Sequence, residues 1–146
     1  MSVRGAPYNI RMSNHPSLSE NQRRSLQKIG VVLLYVHGSV AAGRARKDSD
    51  VDIAVLFEQA PADSVRATAD IVTALSGLEA GREMDIAILN DASPLLKQGV
   101  AIRGTLLYAR SADDDLRFQI QTMHEYESSR HIVRIGQEAV GANARI

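Results

Sequence analysis

His37-Gly38-Ser39-Val40-Ala41-Ala42-Gly43-Arg44-Ala45-Arg46-Lys47-Asp48-Ser49-Asp50-Val51-Asp52-Ile53-Ala54-Val55-Leu56 joins two strand signals and decides the fold. Ahead of it, Val31 to Val36 is an unbroken apolar run, the mark of a strand buried on both faces. Gly38-Ser39 ends that run. Ten residues follow, and then Asp50-Val51-Asp52 opens a second run that reaches Phe57. Val40 to Arg46 is short and rich in Ala, which predicts one or two helical turns. Further on, Met84-Asp85-Ile86-Ala87-Ile88-Leu89 repeats the Asp-Ile-Ala-(Val/Ile)-Leu pattern of residues 52–56. It predicts a neighbouring strand that carries a third carboxylate.

The spacing has chemical content. Residues two apart in a strand face the same side, so Asp50 and Asp52 are expected to point together, with Asp85 beside them on the next strand. Strands in a sheet lie about 4.8 Å apart, so the register that the repeat implies brings three carboxylates within reach of one or two Mg²⁺ ions. Mg²⁺ prefers oxygen ligands and shares its shell with substrate phosphates. Gly38 lets a phosphate approach the backbone. Ser39 adds a hydroxyl, and the following helical turns aim free N–H groups at an anion. Arg44, Arg46 and Lys47 are candidate phosphate clamps. An isolated Asp-x-Asp or Gly-Ser carries little information. Their conjunction between buried strands points to metal-dependent nucleotidyl transfer from a triphosphate.

The remaining chain predicts an α-β-α-β-α-β-α-β-α order, with helices covering a small, largely buried sheet. Residues 1–16 are polar, with two prolines, and read as a loose lead-in to a single domain over 17–146. Ser17 or Ser19 caps a helix through Lys28, ended by Gly30. Pro61 is expected to open a helix reaching about Leu78, with Val65, Thr68, Ile71, Val72, Leu75 and Leu78 on its apolar stripe. Ser93-Pro94 begins another, ending before Gly104, and Thr105 to Tyr108 is a short strand. A long final helix starts near Ser111 with Leu116, Ile120 and Met123 on one face, and Gly136 is a potential break.

Composition narrows the class. A chain of 146 residues with 45% hydrophobic and 23% charged residues is globular, not disordered. Cysteine is absent, so no disulfide framework or thiolate site is available, in keeping with a reducing, cytoplasmic setting. No apolar run approaches the roughly 18 residues of a spanning helix, and Met1 to Met12 lacks the apolar segment of a secretory signal. Net charge is zero but uneven. Residues 1–47 hold eight Lys/Arg and one Asp/Glu; residues 48–146 hold nine and sixteen. The basic first third either docks an anion or neutralises the acidic remainder across the fold. With zero net charge and few aromatics, direct nucleic-acid binding is not expected.

The run 37–56 resembles the signature of the polymerase-β-type nucleotidyltransferase superfamily. The small size and the long charged final helix are similar to the minimal nucleotidyltransferase (MNT) domain antitoxins of HEPN/MNT toxin–antitoxin pairs. The resemblance covers roughly residues 18–135. It implies a polymerase-β-like α/β fold with a small mixed sheet flanked by helices. It also implies an enzyme that moves AMP from ATP onto a tyrosine of a HEPN-domain RNase toxin and so silences it. On this resemblance Gly38 and Ser39 form the nucleotide-phosphate turn, Asp50 and Asp52 are the metal pair, and Asp85 is the base or metal-bridging group for the incoming hydroxyl. One departure stands out. Relatives often carry arginine at two positions after Gly-Ser that here read Val40 and Ala42, with arginine displaced to 44 and 46.

Two other readings compete. A small-molecule nucleotidyltransferase of the antibiotic-modifying kind needs an added acceptor domain, for which the residues after Tyr108 supply little. A contact-only antitoxin would be indifferent to loss of Asp50 or Asp52. Elsewhere, His37 reads as a strand end more readily than as a phosphate ligand. His124 and His131 lack a third ligand for zinc. Asp113-Asp114-Asp115 reads as charge compensation at a helix start. Tyr108 and Tyr126 read as packing residues, not self-modification targets.

Overall fold

Two apolar layers on a single sheet account for the pattern of the strands. The computed structural model describes residues 17–38, 50–78 and 82–143. Its strands are β1 (Val31–His37), β2 (Val51–Phe57), β3 (Met84–Ile88) and β4 (Thr105–Ala109). They form one sheet in the order β3-β2-β1-β4. β1 runs antiparallel to both β2 and β4, whereas β2 and β3 are parallel. The sheet is therefore mixed, as expected. β1 and β2 occupy its centre, which is why both read as apolar runs.

One face is covered by α1 (Glu20–Lys28) and α2 (Ser64–Ala74). Leu26, Ala67, Ile71 and Leu75 pack there against Leu34 and Val36 of β1 and against Val51, Ile53 and Val55 of β2. The other face is covered by α3 (Pro94–Arg103), α4 (Ala112–Asn143) and a 3₁₀ turn (Leu89–Asp91). Leu89, Val100 and Phe118 pack there against Val32, Leu33, Tyr35 and Ala54. Val32 and Leu33 both fall on this second face because the β1–β2 register shifts between Val31 and Leu33.

Local signals set most boundaries. Ser19 caps α1 in a capping box with Gln22. Ser93 caps α3, with Pro94 opening the helix. Asn90 in the 3₁₀ turn holds the end of β2 like an extra strand residue. Its amide oxygen accepts from the Phe57 N–H and its amide nitrogen donates to the Phe57 carbonyl, both at 2.9 Å.

Three expectations need correction. α2 begins at Ser64, capped by Asp63, and not at Pro61; its stripe buries Ala67 and Ile71, while Val65 stays 80% exposed. Gly136 does not break α4, which continues to Asn143. The expected apolar face of α4 is also not the buried one: Leu116, Ile120 and Met123 are exposed, and Phe118 and Thr122 face the sheet. The reason is polar. The Tyr35 hydroxyl on β1 donates to the Asp115 carboxylate, and Gln119 Nε2 donates to the Ala101 carbonyl at 3.2 Å. These bonds turn the 115–119–122 face inward, where the Phe118 ring lies 5.7 Å from that of Tyr35.

Candidate active site

The site lies where β1 ends and β2 and β3 begin. Alternation along β2 sends Val51, Ile53 and Val55 to the α1/α2 face. Asp52 and Ala54 then face the α3/α4 side. β3 alternates in phase: Met84, Ile86 and Ile88 pack on the α1/α2 side, which leaves Asp85 and Ala87 with Asp52. The parallel register pairs Asp52 with Asp85 and Ala54 with Ala87. The repeated Asp-Ile-Ala motif is thus two adjacent strands in the same phase. Across the other edge of β2, Asp52 pairs with His37.

Gly38 follows directly and has φ +72°, a conformation that L side chains rarely adopt. A second constraint reinforces the first. A Cβ at residue 38 would collide with Asp52 Oδ2 and lie 3.1 Å from Asp52 Cγ. The glycine therefore makes the turn and leaves room for the carboxylate beside it.

Asp50 precedes β2 and is exposed; Asp52 is half-buried and Asp85 exposed. The structure brings Asp52 and Asp85 together by register and sets Asp50 at the mouth of the same strand. Among the described residues no group of three His, Cys, Asp or Glu side chains is arranged to hold a metal ion. The donor set nevertheless fits a hard cation, because it consists of carboxylates at the solvent-open end of the sheet. Ser39, Arg44 and Arg46 lie outside the described residues, as does the predicted short helix over 40–46.

A cavity of about 430 Å³ opens next to Gly38 on the α3 side. His37, Gly38, Leu96, Gly99, Val100 and Arg103 are among its lining. His37 Nε2 is buried and has no hydrogen-bond partner. Sequence reasoning places His37 at a strand end and misses the α3 residues altogether. The one signal for them is Gly99, an isolated glycine inside a helical run.

The tempting residues fall where packing puts them. Tyr108 is buried in the core. Asp114 is buried and receives two hydrogen bonds from Arg110, at 2.9 and 3.0 Å, and one from the Ser111 hydroxyl. Arg110, ahead of Ser111, holds the Asp114 carboxyl below the usual range, against the opposing pull of burial. His124 and His131 are exposed on α4.

A mixed four-stranded sheet with a Gly turn and in-phase acids on adjacent strands is the architecture of a nucleotidyl-transferring domain. The chain belongs to the polymerase beta nucleotidyltransferase family, whose model matches residues 21–113. It is similar to protein adenylyltransferase MntA of Shewanella oneidensis, with 32% identity over 95 residues. That match covers 65% of this chain and 66% of the relative, just under two thirds of its length. Among solved structures, a toxin–antitoxin with AMP-PNP matches with a TM-score of 0.59 and 26% identity, covering 88% of this chain and all of that one. The same fold is also met in a structure of the tri-AMPylated Shewanella oneidensis HEPN toxin in complex with MNT antitoxin. That match has a TM-score of 0.55 and 21% identity, covering 86% of this chain and 97% of that one. No described helix is long and apolar enough to cross a membrane.

Proposed function

We propose that this chain is the antitoxin of a HEPN/MNT pair and transfers AMP from ATP to a tyrosine hydroxyl of its HEPN-domain toxin. The observation that carries the reading is the in-register pair Asp52 and Asp85 beside the glycine turn at residue 38. The similarity to protein adenylyltransferase MntA supports AMP as the group transferred and a protein as the acceptor.

In this reading Gly38 and Ser39 receive the triphosphate, with Arg44 and Arg46 as clamps. Asp50, Asp52 and Asp85 would hold Mg²⁺, which would neutralise phosphate charge and polarise the reacting oxygens. Asp85 lies on the outer strand, open to an acceptor arriving from another chain. It takes the phenolic proton as the tyrosine oxygen bonds to the α-phosphorus. The bond from the α-phosphorus to the bridging oxygen breaks, and pyrophosphate leaves with that electron pair.

The test is intact-mass analysis of the cognate toxin after incubation with this protein, ATP and Mg²⁺, beside an Asp50→Ala/Asp52→Ala control. One or more AMP increments, absent in the control, are expected. Tight complexes without a mass increment in either case would favour a contact-only antitoxin. Neither complex nor increment would favour a small-molecule nucleotidyltransferase.

A further inference from the structure

We propose that a pocket between β4 and the first turns of α4 is where this chain grips its toxin, and that it takes an arginine side chain which that partner presents amid apolar residues. This rests on the reading above only in taking the partner to be the HEPN-domain toxin.

A bulge creates the space. Along β4, Tyr108 pairs with Leu34 and Leu106 with Tyr35, so Leu107 is the extra residue. Leu107 and Tyr108 both pack on the α1/α2 face as a result. Leu106 and Ala109, three apart, both fall on the α3/α4 face. Ala109 and Ala112 are too small to fill the gap, and a cavity of about 170 Å³ remains. Leu106, Ala109, Ala112, Asp115, Leu116 and Gln119 line it. That volume is well below the roughly 300 Å³ at which small-molecule sites begin, so the pocket suits one side chain and not a nucleotide. β4 is an outer strand of the sheet, but a bulged edge resists pairing with a further strand. Insertion of a side chain is what this edge allows.

Hydrogen bonding sets the chemistry of the occupant. The Tyr35 hydroxyl donates to Asp115 Oδ1. Gln119 Nε2 donates to the Ala101 carbonyl at 3.2 Å and to the Tyr35 hydroxyl at 3.5 Å. What the pocket still offers is two acceptors, Asp115 Oδ2 and Gln119 Oε1, one helical turn apart. One of them belongs to a carboxylate, so the complement is a cationic donor. Arginine fits, because its planar fork reaches two acceptors at once while its stem lies along Leu106 and Leu116. From the rim of the pocket Leu116, Ile120 and Met123 run along α4, all exposed. An anchor pocket bordered by apolar contacts that exclude water is the make-up of an interface hot spot, where arginine is enriched. A second copy of this chain fits less well. A two-fold contact centred here sets Asp113 and Asp115 of one copy against the same acids of the other.

The test is titration calorimetry of this protein with its purified cognate toxin, without ATP, at low and high salt. Ala112→Trp, at an exposed position, blocks the pocket. Loss of a hot-spot contact weakens binding about tenfold or more, and a loss of that size is expected. Asp115→Asn keeps an acceptor for the Tyr35 hydroxyl and removes the charge. It is expected to weaken toxin binding about tenfold at low salt and to flatten its salt dependence. Melting curves identify a variant whose loss comes from unfolding, and the other variant then decides. Wild-type affinity in Ala112→Trp overturns the proposal, as does an Asp115→Asn protein with unaltered affinity and salt dependence. Self-association of the wild type that Ala112→Trp abolishes, with toxin binding intact, overturns it in favour of a second copy. Weakened toxin binding by both variants of a protein that adds no AMP would sink the transfer reading while this surface stands. AMP transfer by the wild type, with toxin affinity unaltered in both variants, keeps that reading and removes the surface. A wild type that does not bind the toxin removes both.

Discussion

The carboxylate of Asp52 occupies the space that a side chain at Gly38 would need. One residue ends β1 and the other opens the functional face of β2, so turn and acid are built as one unit. Gly38→Ala meets both the positive φ and the collision. The left-handed conformation alone costs an L residue about 1–2 kcal/mol. We expect a lower melting temperature and loss of AMP transfer, since Asp52 must move to make room. Thermal melts and the toxin mass assay check this together. A variant that melts lower but transfers normally would separate the turn from the chemistry.

Asp52→Asn keeps the shape and removes the charge. Asp52 would act through the Mg²⁺ it holds; loss of one transition-state-stabilising group costs about 10²–10³-fold, and we expect a rate loss of about that size with an unchanged melting temperature. Chelation of divalent metal by EDTA is expected to stop transfer in the wild type, with recovery on adding excess Mg²⁺. Single-turnover kinetics on the purified toxin measure both.

The inward face of α4 gives a contrast in stability. Phe118→Ala removes a buried ring and is expected to cost about 3–5 kcal/mol. Ile120→Ser and Met123→Ser, on the exposed face, are expected to stay within about 0.5 kcal/mol of wild type. Denaturant unfolding of the three variants distinguishes this packing from the opposite helix rotation.

That contrast also marks where sequence reading stops. β1 and β2 are legible because burial on both faces leaves unbroken apolar runs, and β3 because its Asp-Ile-Ala phase copies that of β2. The glycine turn and the acids are legible for the same reason: residue type and spacing are local. The rotation of α4 is not, because the Tyr35–Asp115 hydrogen bond joins residues 80 apart, and no periodicity within the helix encodes it. Leu116, Ile120 and Met123 do share a stripe, but nothing in the described chain covers it. The cavity on α3 escapes because it is a space between elements, signalled only by Gly99.

Two groups make stability depend on pH. Arg110 and then Ser111 lower the Asp114 carboxyl from its ordinary value near 3.8. Its contribution is therefore present above that value and lost as pH falls through the lower folded-state value. Asp114→Asn is expected to be less stable than wild type at neutral pH, with the gap closing in acid. Burial, and then the bond to Asp115, raises Tyr35 above the ordinary value of 10.0. Its contribution is complete below 10.0 and is lost progressively above it, as pH rises through the folded-state value. Urea titrations of wild type, Asp114→Asn and Tyr35→Phe across the pH range measure both limbs.

The parallel register of β2 and β3 decides which changes of chain length the candidate site can absorb. The acids meet through strand phase, not through a loop, so a residue inserted in the exposed turn at Glu58–Ala60 should be taken up ahead of Asp63 and leave Asp52 opposite Asp85. A residue inserted between Met84 and Asp85 shifts the phase by one and turns Asp85 to the α1/α2 face. The first protein keeps its chemistry with a longer turn; the second folds around a missing acid or re-pairs its edge strand.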